Sequence, residues 1–229
     1  MLHYHGTPIT PRKEMDKLKG RNFCVSYAQT QDANWCIENA QSIMWDNGAF
    51  SAYTRGKEFN KVGYMNWLND KLHGANWAVV PDVIGGTVED QRAMMKTWHY
   101  PDHLSCYVWH MDLPLDWLKN LVENYPRVAF GSSGKYWQVN SPEWQDRADD
   151  AWDVITGTGT RPWVHMMRGL KVCGKRWPFA SADSTNVARN FKNKGREKCP
   201  RDMVSLIDSR QSPLEFRSGS FSLGKREEN

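Results

Sequence analysis

Eight short apolar segments, each followed by a turn or a polar cluster, constrain the fold of this chain more than any other feature. They lie at residues 1–5, 23–28, 42–45, 77–80, 106–109, 128–130, 163–167 and 178–182. Segments that can form helices lie between them, at 12–19, 31–40, 60–74, 87–98, 115–124, 141–155 and 186–194. Alternating strands and helices predict a parallel sheet, and eight repeats predict its closure into a compact α/β barrel of the (β/α)8 TIM type.

The length and composition fit one such barrel. The chain has 229 residues, of which 40% are hydrophobic and 24% are charged, and this balance is typical of a globular protein. We expect the catalytic barrel to cover residues 1–195. Residues 196–229 are more polar and basic, and they predict a C-terminal extension that is partly flexible.

The cysteines and the N-terminus bear on cellular location. The five cysteines have neither the paired spacing of a zinc site nor the pattern of a disulfide framework, which favours a reducing compartment. Residues 1–10 lack the features of a signal peptide, and no apolar run is long enough to span a membrane. These features predict a cytoplasmic protein that does not enter the membrane.

Polar and charged residues gather at the predicted C-terminal ends of the strands, where the active sites of such barrels lie. They are Asp46, Asp82, His110, Asp112, the Gly131-Ser132-Ser133-Gly134 turn, Arg168 and Asp183. A single aspartate in such a place is often only the N-cap of the next helix. Three of them at one end of one barrel, Asp46, Asp82 and Asp183, predict a catalytic site instead.

Paired carboxylates in a partly dry cleft are typical of enzymes that break a glycosidic bond with retention. One carboxylate attacks the anomeric carbon, while the other protonates the leaving group and later activates its replacement. The turn at 131–134 offers backbone N–H groups to a carbonyl or phosphate oxygen, although Gly-Ser turns are common. Aromatic side chains near the strand ends would stack on a purine base or simply fill the barrel; they are Trp45, Tyr53, Trp109 and Tyr136.

Four of these segments resemble those of the tRNA-guanine transglycosylase family. DNGAFSAY at 46–53 is similar to the family's strand-end motif and implies that Asp46 is the acid/base aspartate. VVPDV at 79–83 resembles the segment of the base-binding aspartate, here Asp82. FASADSTNVARNF at 179–191 resembles the segment of the nucleophilic aspartate, here Asp183. VAFGSSG at 128–134 stands where the family has a Gly-rich loop that holds the base by its backbone.

The resemblance is nearest to the compact DNA 7-deazaguanine transglycosylases of phage and bacteria, and it covers about residues 1–195. It implies exchange of guanine in nucleic acid for a free 7-deazaguanine base through a covalent aspartyl-sugar intermediate, with no cofactor and no metal. His110 departs from the family, which has a glutamine that reads the base there. The family's zinc subdomain is also absent, since only Cys173 and Cys199 lie in that half, and this favours DNA over tRNA.

The resemblance also implies where the substrate lies. The purine would be held by Asp82, His110 and the backbone at Gly131, Ser132 and Ser133, while Arg189 would keep Asp183 ionised. Trp45 and Phe50 would form walls around Asp46. The basic segment after the last strand predicts phosphate contacts or only a solvated charge run, from Lys192, Lys194, Arg196 and Lys198. A chain this short would need a protein partner or a second copy to grip a duplex, in the host cytoplasm if phage-encoded.

Two other functions remain open on the sequence alone. His3, His5, His110, His165 and Asp183 resemble the ligand set of a metal-dependent amidohydrolase barrel, in which a bound metal activates water. His3 and His5 could instead be partly buried imidazoles that only form hydrogen bonds. A non-catalytic barrel that binds nucleic acid or a nucleotide is the third possibility.

Overall fold

The computed structural model describes residues 1–193, 195 and 197–217. Eight parallel strands form a closed barrel in which sequence neighbours are also spatial neighbours. The strands are β1 (Leu2–Gly6), β2 (Asn22–Ser26), β3 (Ser42–Asp46), β4 (Trp77–Val79), β5 (Ser105–His110), β6 (Arg127–Gly131), β7 (Trp163–Met166) and β8 (Ser181–Ser184). β8 closes the barrel by pairing with β1, which puts Asp183 opposite Tyr4. The predicted α/β (β/α)8 fold is confirmed.

Nine α-helices surround the strands in the part of the chain that the structure describes. They are α1 (Arg12–Met15), α2 (Ala33–Asn39), α3 (Ala49–Thr54), α4 (Lys61–Leu68), α5 (Val88–Met95), α6 (Leu115–Asn124), α7 (Pro142–Thr158), α8 (Asn186–Asn190) and α9 (Pro200–Asp208). Two of them, α3 and α9, are not among the helices predicted from the sequence. None of the described helices combines the length and apolar character needed to cross a bilayer.

The helix α9 lies inside the segment that the sequence marks as a polar extension. Its Val204 and Ile207 are buried in the same apolar cluster as Val25 and Ile43, on the outer side of the strands. Asp208 at its end accepts a hydrogen bond from the buried His5. The first part of the extension therefore packs on the barrel, while residues 218–229 lie outside the described part of the chain.

Side-chain alternation along the strands separates an inner core from an outer one. The inner core fills the barrel and contains Tyr4, Met44, Trp77, Val79, Cys106, Val108 and Ala129. Trp45 and Trp109 belong instead to the outer layer between strands and helices. Because Met44 faces inwards and Trp45 outwards, Asp46 faces inwards again, at the C-terminal mouth of the barrel.

Candidate active site

The mouth of the barrel brings together the three carboxylates that the sequence singles out. Asp46 is the last residue of β3, Asp82 follows β4, and Asp183 lies within β8. The negative charges of Asp183 and Asp82 both act on the Asp46 carboxyl group, so the three groups are electrostatic neighbours. Asp82 and Asp183 are each only 9% exposed, and such burial strengthens every interaction among them.

Asp183 is held in its ionised form by its neighbours. Burial alone would raise its pKa, but the hydrogen bond and charge of His165 and the backbone N–H of Arg168 outweigh it, so the pKa is lowered. His165 Nε2 lies 3.2 Å from Asp183 Oδ1, and the Arg168 N–H donates to the same oxygen at 2.8 Å. A buried carboxylate with these donors is ready to act as a nucleophile.

A chain of hydrogen bonds fixes the orientation of His165. Trp163 Nε1, which can only donate, bonds to the Ser181 hydroxyl at 2.8 Å. Ser181 Oγ lies 2.8 Å from His165 Nδ1, so its single proton is directed to that nitrogen when the imidazole is neutral. The His165 proton is then on Nε2, where it bonds to Asp183. His165 thus serves Asp183, a role that the sequence does not indicate.

Asp46 has the opposite electrostatic environment. Its burial raises its pKa to about 6, an effect that the Asp183 and Asp82 charges reinforce and that the Ser26 hydroxyl and the Gly48 N–H oppose. The Gly48 N–H donates to Asp46 Oδ2 at 3.1 Å. Gly48 has φ +77°, and a Cβ there would lie 3.1 Å from the Ala28 nitrogen, so the turn after β3 requires glycine. A carboxyl group with this pKa can both donate and accept a proton near neutral pH.

Asp82 is positioned by two side chains from neighbouring strand ends. Asn47 Nδ2 donates to Asp82 Oδ1 at 2.6 Å and to the Val80 carbonyl at 3.1 Å. His110 Nε2 lies 2.8 Å from Asp82 Oδ2, but the N–H is not aligned with that oxygen, so the nitrogen has no hydrogen-bond partner within the described residues. His110 is 4% exposed, so its contact with Asp82 lies in the buried part of the mouth.

The loop after β6 completes this side of the mouth. A Cβ on Gly131 would lie 3.3 Å from His110 Nδ1, so the missing side chain leaves room for the imidazole. The Ser133 hydroxyl contacts the Asp112 carboxylate, whereas the Ser132 hydroxyl accepts from Trp144 Nε1 and turns towards α7. The backbone N–H groups of Ser132 and Ser133 have no acceptor in the described chain. They can therefore donate to a carbonyl oxygen of a ligand.

Arg168 and Phe50 meet across the mouth. The Arg168 guanidinium carbon lies 4.2 Å from the centroid of the Phe50 ring, a cation–π distance. Phe50 belongs to α3, after β3, whereas Arg168 follows β7, so the contact joins opposite sides of the barrel. Arg168 has φ +54°, a left-handed conformation that is uncommon for residues other than glycine. Phe50 thus lies at the mouth.

Several predicted residues lie elsewhere. Trp45 and Trp109 are fully buried in the outer layer, so the expectation that Trp45 forms a wall around Asp46 is wrong. Arg189 is exposed on α8 and makes no hydrogen bond to Asp183 in the described structure, where His165 and Arg168 serve that purpose.

The predicted phosphate-binding segment is only partly described. Lys192 and Lys198 are exposed, and the Lys192 ammonium lies 5.2 Å from the centroid of the Phe191 ring. Lys194 and Arg196 lie outside the described residues. The role of this segment stays a prediction.

The ligand set of the metal-barrel alternative is not assembled. His3 and His5 point outwards from β1, where their Nε2 atoms contact Ser184 and Asp208 at 2.9 Å each. His110 instead contacts Asp82, and His165 contacts Asp183. In the described residues, no group of three or more His, Cys, Asp and Glu side chains is arranged to hold a metal ion. Because His3 and His5 are two residues apart on β1, both side chains lie on the same face of the strand, and this is the outer face of the barrel.

Neither a family model, a curated protein nor a solved structure matches this chain.

A shallow cavity of about 270 Å³ lies at the opposite end of the barrel, lined by residues 122–126 and 160–162. It contains no carboxylate from the mouth, and Glu123 is its only acid. The arrangement of Asp46, Asp82 and Asp183 is therefore the stronger guide to function.

Proposed function

We propose that the protein is a transglycosylase that exchanges guanine in DNA for a free 7-deazaguanine base. The observation that carries this proposal is that two neighbouring carboxylates, Asp46 and Asp183, have pKa values shifted in opposite directions. The pKa of Asp183 is lowered, whereas burial raises the pKa of Asp46 to about 6. Double displacement at an anomeric carbon needs this pair, one group ionised to attack and one able to carry a proton.

In the first half-reaction, the Asp183 carboxylate attacks C1′ of the target guanosine. The bond between C1′ and N9 of guanine breaks, and its electron pair leaves with the base. Asp46 donates its proton to the departing guanine, which leaves as the neutral base. The sugar remains bound to Asp183 as an ester, and His165 keeps the carboxylate oriented during the attack.

In the second half-reaction, the incoming 7-deazaguanine base occupies the place of guanine. The ionised Asp46 removes the proton from N9, and this nitrogen attacks C1′. The ester bond to Asp183 breaks, which regenerates its carboxylate and completes the exchange. The same two carboxylates serve both halves, so no cofactor enters the balance of the reaction.

The polar groups around Asp82 suit the edge of a purine. A carboxylate accepts from the N1–H and the exocyclic amine of guanine, and Asp82 keeps free lone pairs beside its contacts with Asn47 and His110. The Ser132 and Ser133 N–H groups would donate to the purine carbonyl oxygen. Phe50 supplies an exposed ring for stacking on the base, since 45% of its surface is open.

DNA is the preferred substrate because the sequence lacks the cysteine pattern of the zinc subdomain that the tRNA enzymes of the resembling family carry. A buried carboxylate reaches C1′ only when the nucleotide is flipped out or already unpaired. The five cysteines are free thiols in the structure, which is consistent with a protein that functions in a reducing cytoplasm. A protein partner or a second copy would help to open a duplex.

The test is base exchange with defined substrates. Purified protein is incubated with a 7-deazaguanine base and with single-stranded DNA, duplex DNA or tRNA, and the nucleosides are analysed by mass. The proposal expects incorporation into DNA by the wild type and none by Asp183→Asn. A chelator should leave the exchange unchanged. Exchange that needs an added divalent metal, or modification that persists in Asp183→Asn, would contradict the mechanism.

A further inference from the structure

The loop after β6 carries an aromatic ring that the protein itself does not cover. Trp137 is 70% exposed, in a chain whose other large rings are mostly buried. The loop starts at Gly131 of the mouth, and the short 3-10 helix Gly134–Tyr136 leads directly to Trp137. The ring therefore lies on the same end of the barrel as Asp46 and Asp183.

The loop between β7 and β8 lies beside it. Lys175 Nζ donates to Asn140 Oδ1 at 2.7 Å, which joins the two loops. Residues 131–141 and 167–180 contain no aspartate or glutamate. Their basic residues are Lys135, Arg168, Lys171, Lys175 and Arg176. Arg176 is paired with Asp149, but the three lysines are exposed and form no ion pair in the described structure.

We propose that this surface, formed by Trp137, Lys135, Lys171 and Lys175, binds unpaired nucleotides that flank the reacting guanosine. The inference rests on the proposed function and names the form of its substrate, which is a single strand and not an intact duplex. An open aromatic ring stacks on a base of any sequence once that base is unpaired. Inside a duplex both faces of each base are already stacked, so Trp137 has no partner there except at the duplex ends.

Charge complementarity identifies the occupant. Exposed lysines in the same two adjoining loops as an exposed ring match phosphates spaced along a strand, whereas a protein partner of this surface would have to be acidic. The mouth itself contains three carboxylates and repels a phosphate backbone. The cations of the two loops offset that repulsion at the rim. The surface thus positions a strand whose target base enters the mouth.

Fluorescence anisotropy with a labelled 12-nucleotide strand that contains one guanine tests the proposal. Wild type should bind this strand more tightly than the same sequence as a blunt duplex. Trp137→Ala should weaken single-strand binding by roughly 5- to 100-fold, the loss of one stacked base, while Trp137→Phe retains most of it. Trp137 is exposed, so both variants should fold, and circular dichroism checks this. Equal strand affinity of wild type and Trp137→Ala would overturn the proposal.

The lysines provide a second, independent readout. Lys171→Ala and Lys175→Ala should each reduce the slope of log affinity against log salt by about 0.7, the value for one phosphate contact on a single strand. Lys19→Ala is the matched control, because Lys19 is exposed just before β2, at the other end of the barrel. Salt slopes that do not change in the loop variants, or that change equally in Lys19→Ala, would contradict the assigned surface.

Failure of this inference is distinguishable from failure of the proposed function. At saturating strand, Trp137→Ala should still exchange guanine, because the ring lies outside the reacting groups. If wild type exchanges bases and Trp137→Ala binds strands normally, only the surface assignment is wrong. If wild type binds strands through Trp137 but exchanges no base, the surface stands and the chemistry is wrong.

Discussion

His165 Nε2 lies 3.2 Å from Asp183 Oδ1, and the imidazole is fully buried. This contact explains how a carboxylate that is only 9% exposed has a lowered pKa. Desolvation alone would raise this pKa and favour the protonated form, which is a poor nucleophile. The orientation of His165 comes in turn from Ser181 and Trp163, so a polar chain through β7 and β8 supports the attacking group.

Replacing His165 with glutamine should therefore slow guanine release more at acidic pH than at alkaline pH. The pKa of Asp183 rises when the imidazole is lost, so the acid limb of the pH profile moves to higher pH. The measurement is the single-turnover rate of guanine release between pH 4 and 9. His99→Gln, which changes an exposed histidine, should leave the profile unchanged. A uniform loss of rate at every pH would assign His165 a purely structural role.

The pKa of Asp46, about 6, predicts opposite pH dependences for the two half-reactions. Guanine release needs the protonated form, so its rate should fall as pH rises above about 6. Return of a base to the sugar needs the ionised form, so its rate should rise up to that pH. Separate single-turnover assays of each half-reaction measure both profiles. In Asp46→Asn both dependences should disappear, and general acid–base loss should slow each step about a hundred- to ten-thousand-fold.

The two carboxylates should have opposite effects on stability. The folded-state pKa of Asp46 is about 6 against an ordinary 3.8, so its ionisation costs stability as pH rises through this window. Asp46→Asn should raise the free energy of unfolding at pH 8 by up to about 3 kcal/mol and change little near pH 4. The pKa of Asp183 is lowered, so its ionised form stabilises the fold at any pH above the ordinary pKa of 3.8. Asp183→Asn should therefore be destabilising at pH 8.

Denaturant titrations at pH 4 and pH 8 measure these differences. An equal loss of stability in both asparagine variants at pH 8 would contradict the opposite pKa shifts of Asp46 and Asp183. Residues selected for catalysis often lower the free energy of unfolding, and a carboxyl group that is kept partly protonated at Asp46 is expected to do the same.

Asp82→Asn should weaken the binding of a 7-deazaguanine ligand by about 10- to 100-fold, because a hydrogen bond to a charged group is lost. Folding should be disturbed less, since Asn47 and the Val80 carbonyl keep their contact. Calorimetric titration of the free base measures the affinity. Asp116→Asn, at the exposed start of α6, is the matched control. Unchanged affinity in Asp82→Asn would exclude this carboxylate from base recognition.

The sequence predicts most of the strands well because they are short apolar runs that end in a turn. β8 is the exception, since Ser181–Ser184 contains one apolar residue and begins three residues after the predicted start at 178. The sequence predicts less well which face of a strand points inwards. The strands of a parallel barrel are buried on both faces, so apolar residues such as Met44 and Trp45 look alike although they face opposite sides. For the same reason the outward direction of His3 and His5 is invisible in the sequence.

Two helices and one supporting histidine also escape prediction. The helix α3 is short and starts at a left-handed glycine, so it has no N-cap signal. The helix α9 carries one short apolar patch, Met203–Ile207, in a mostly polar segment, and a single patch does not distinguish a helix from a loose tail. His165 reads as a metal-ligand candidate, because only the pairing of β7 with β8 brings it to Asp183.

The most direct test of Asp183 as the nucleophile is to trap the covalent intermediate. Wild type and the two asparagine variants are incubated with a guanine-containing strand, quenched in denaturant and analysed by gel and by peptide mass. We expect a protein–DNA adduct in wild type that maps to Asp183, a slower adduct in Asp46→Asn, and none in Asp183→Asn. An adduct that persists in Asp183→Asn, or that maps to another residue, would contradict this role of Asp183.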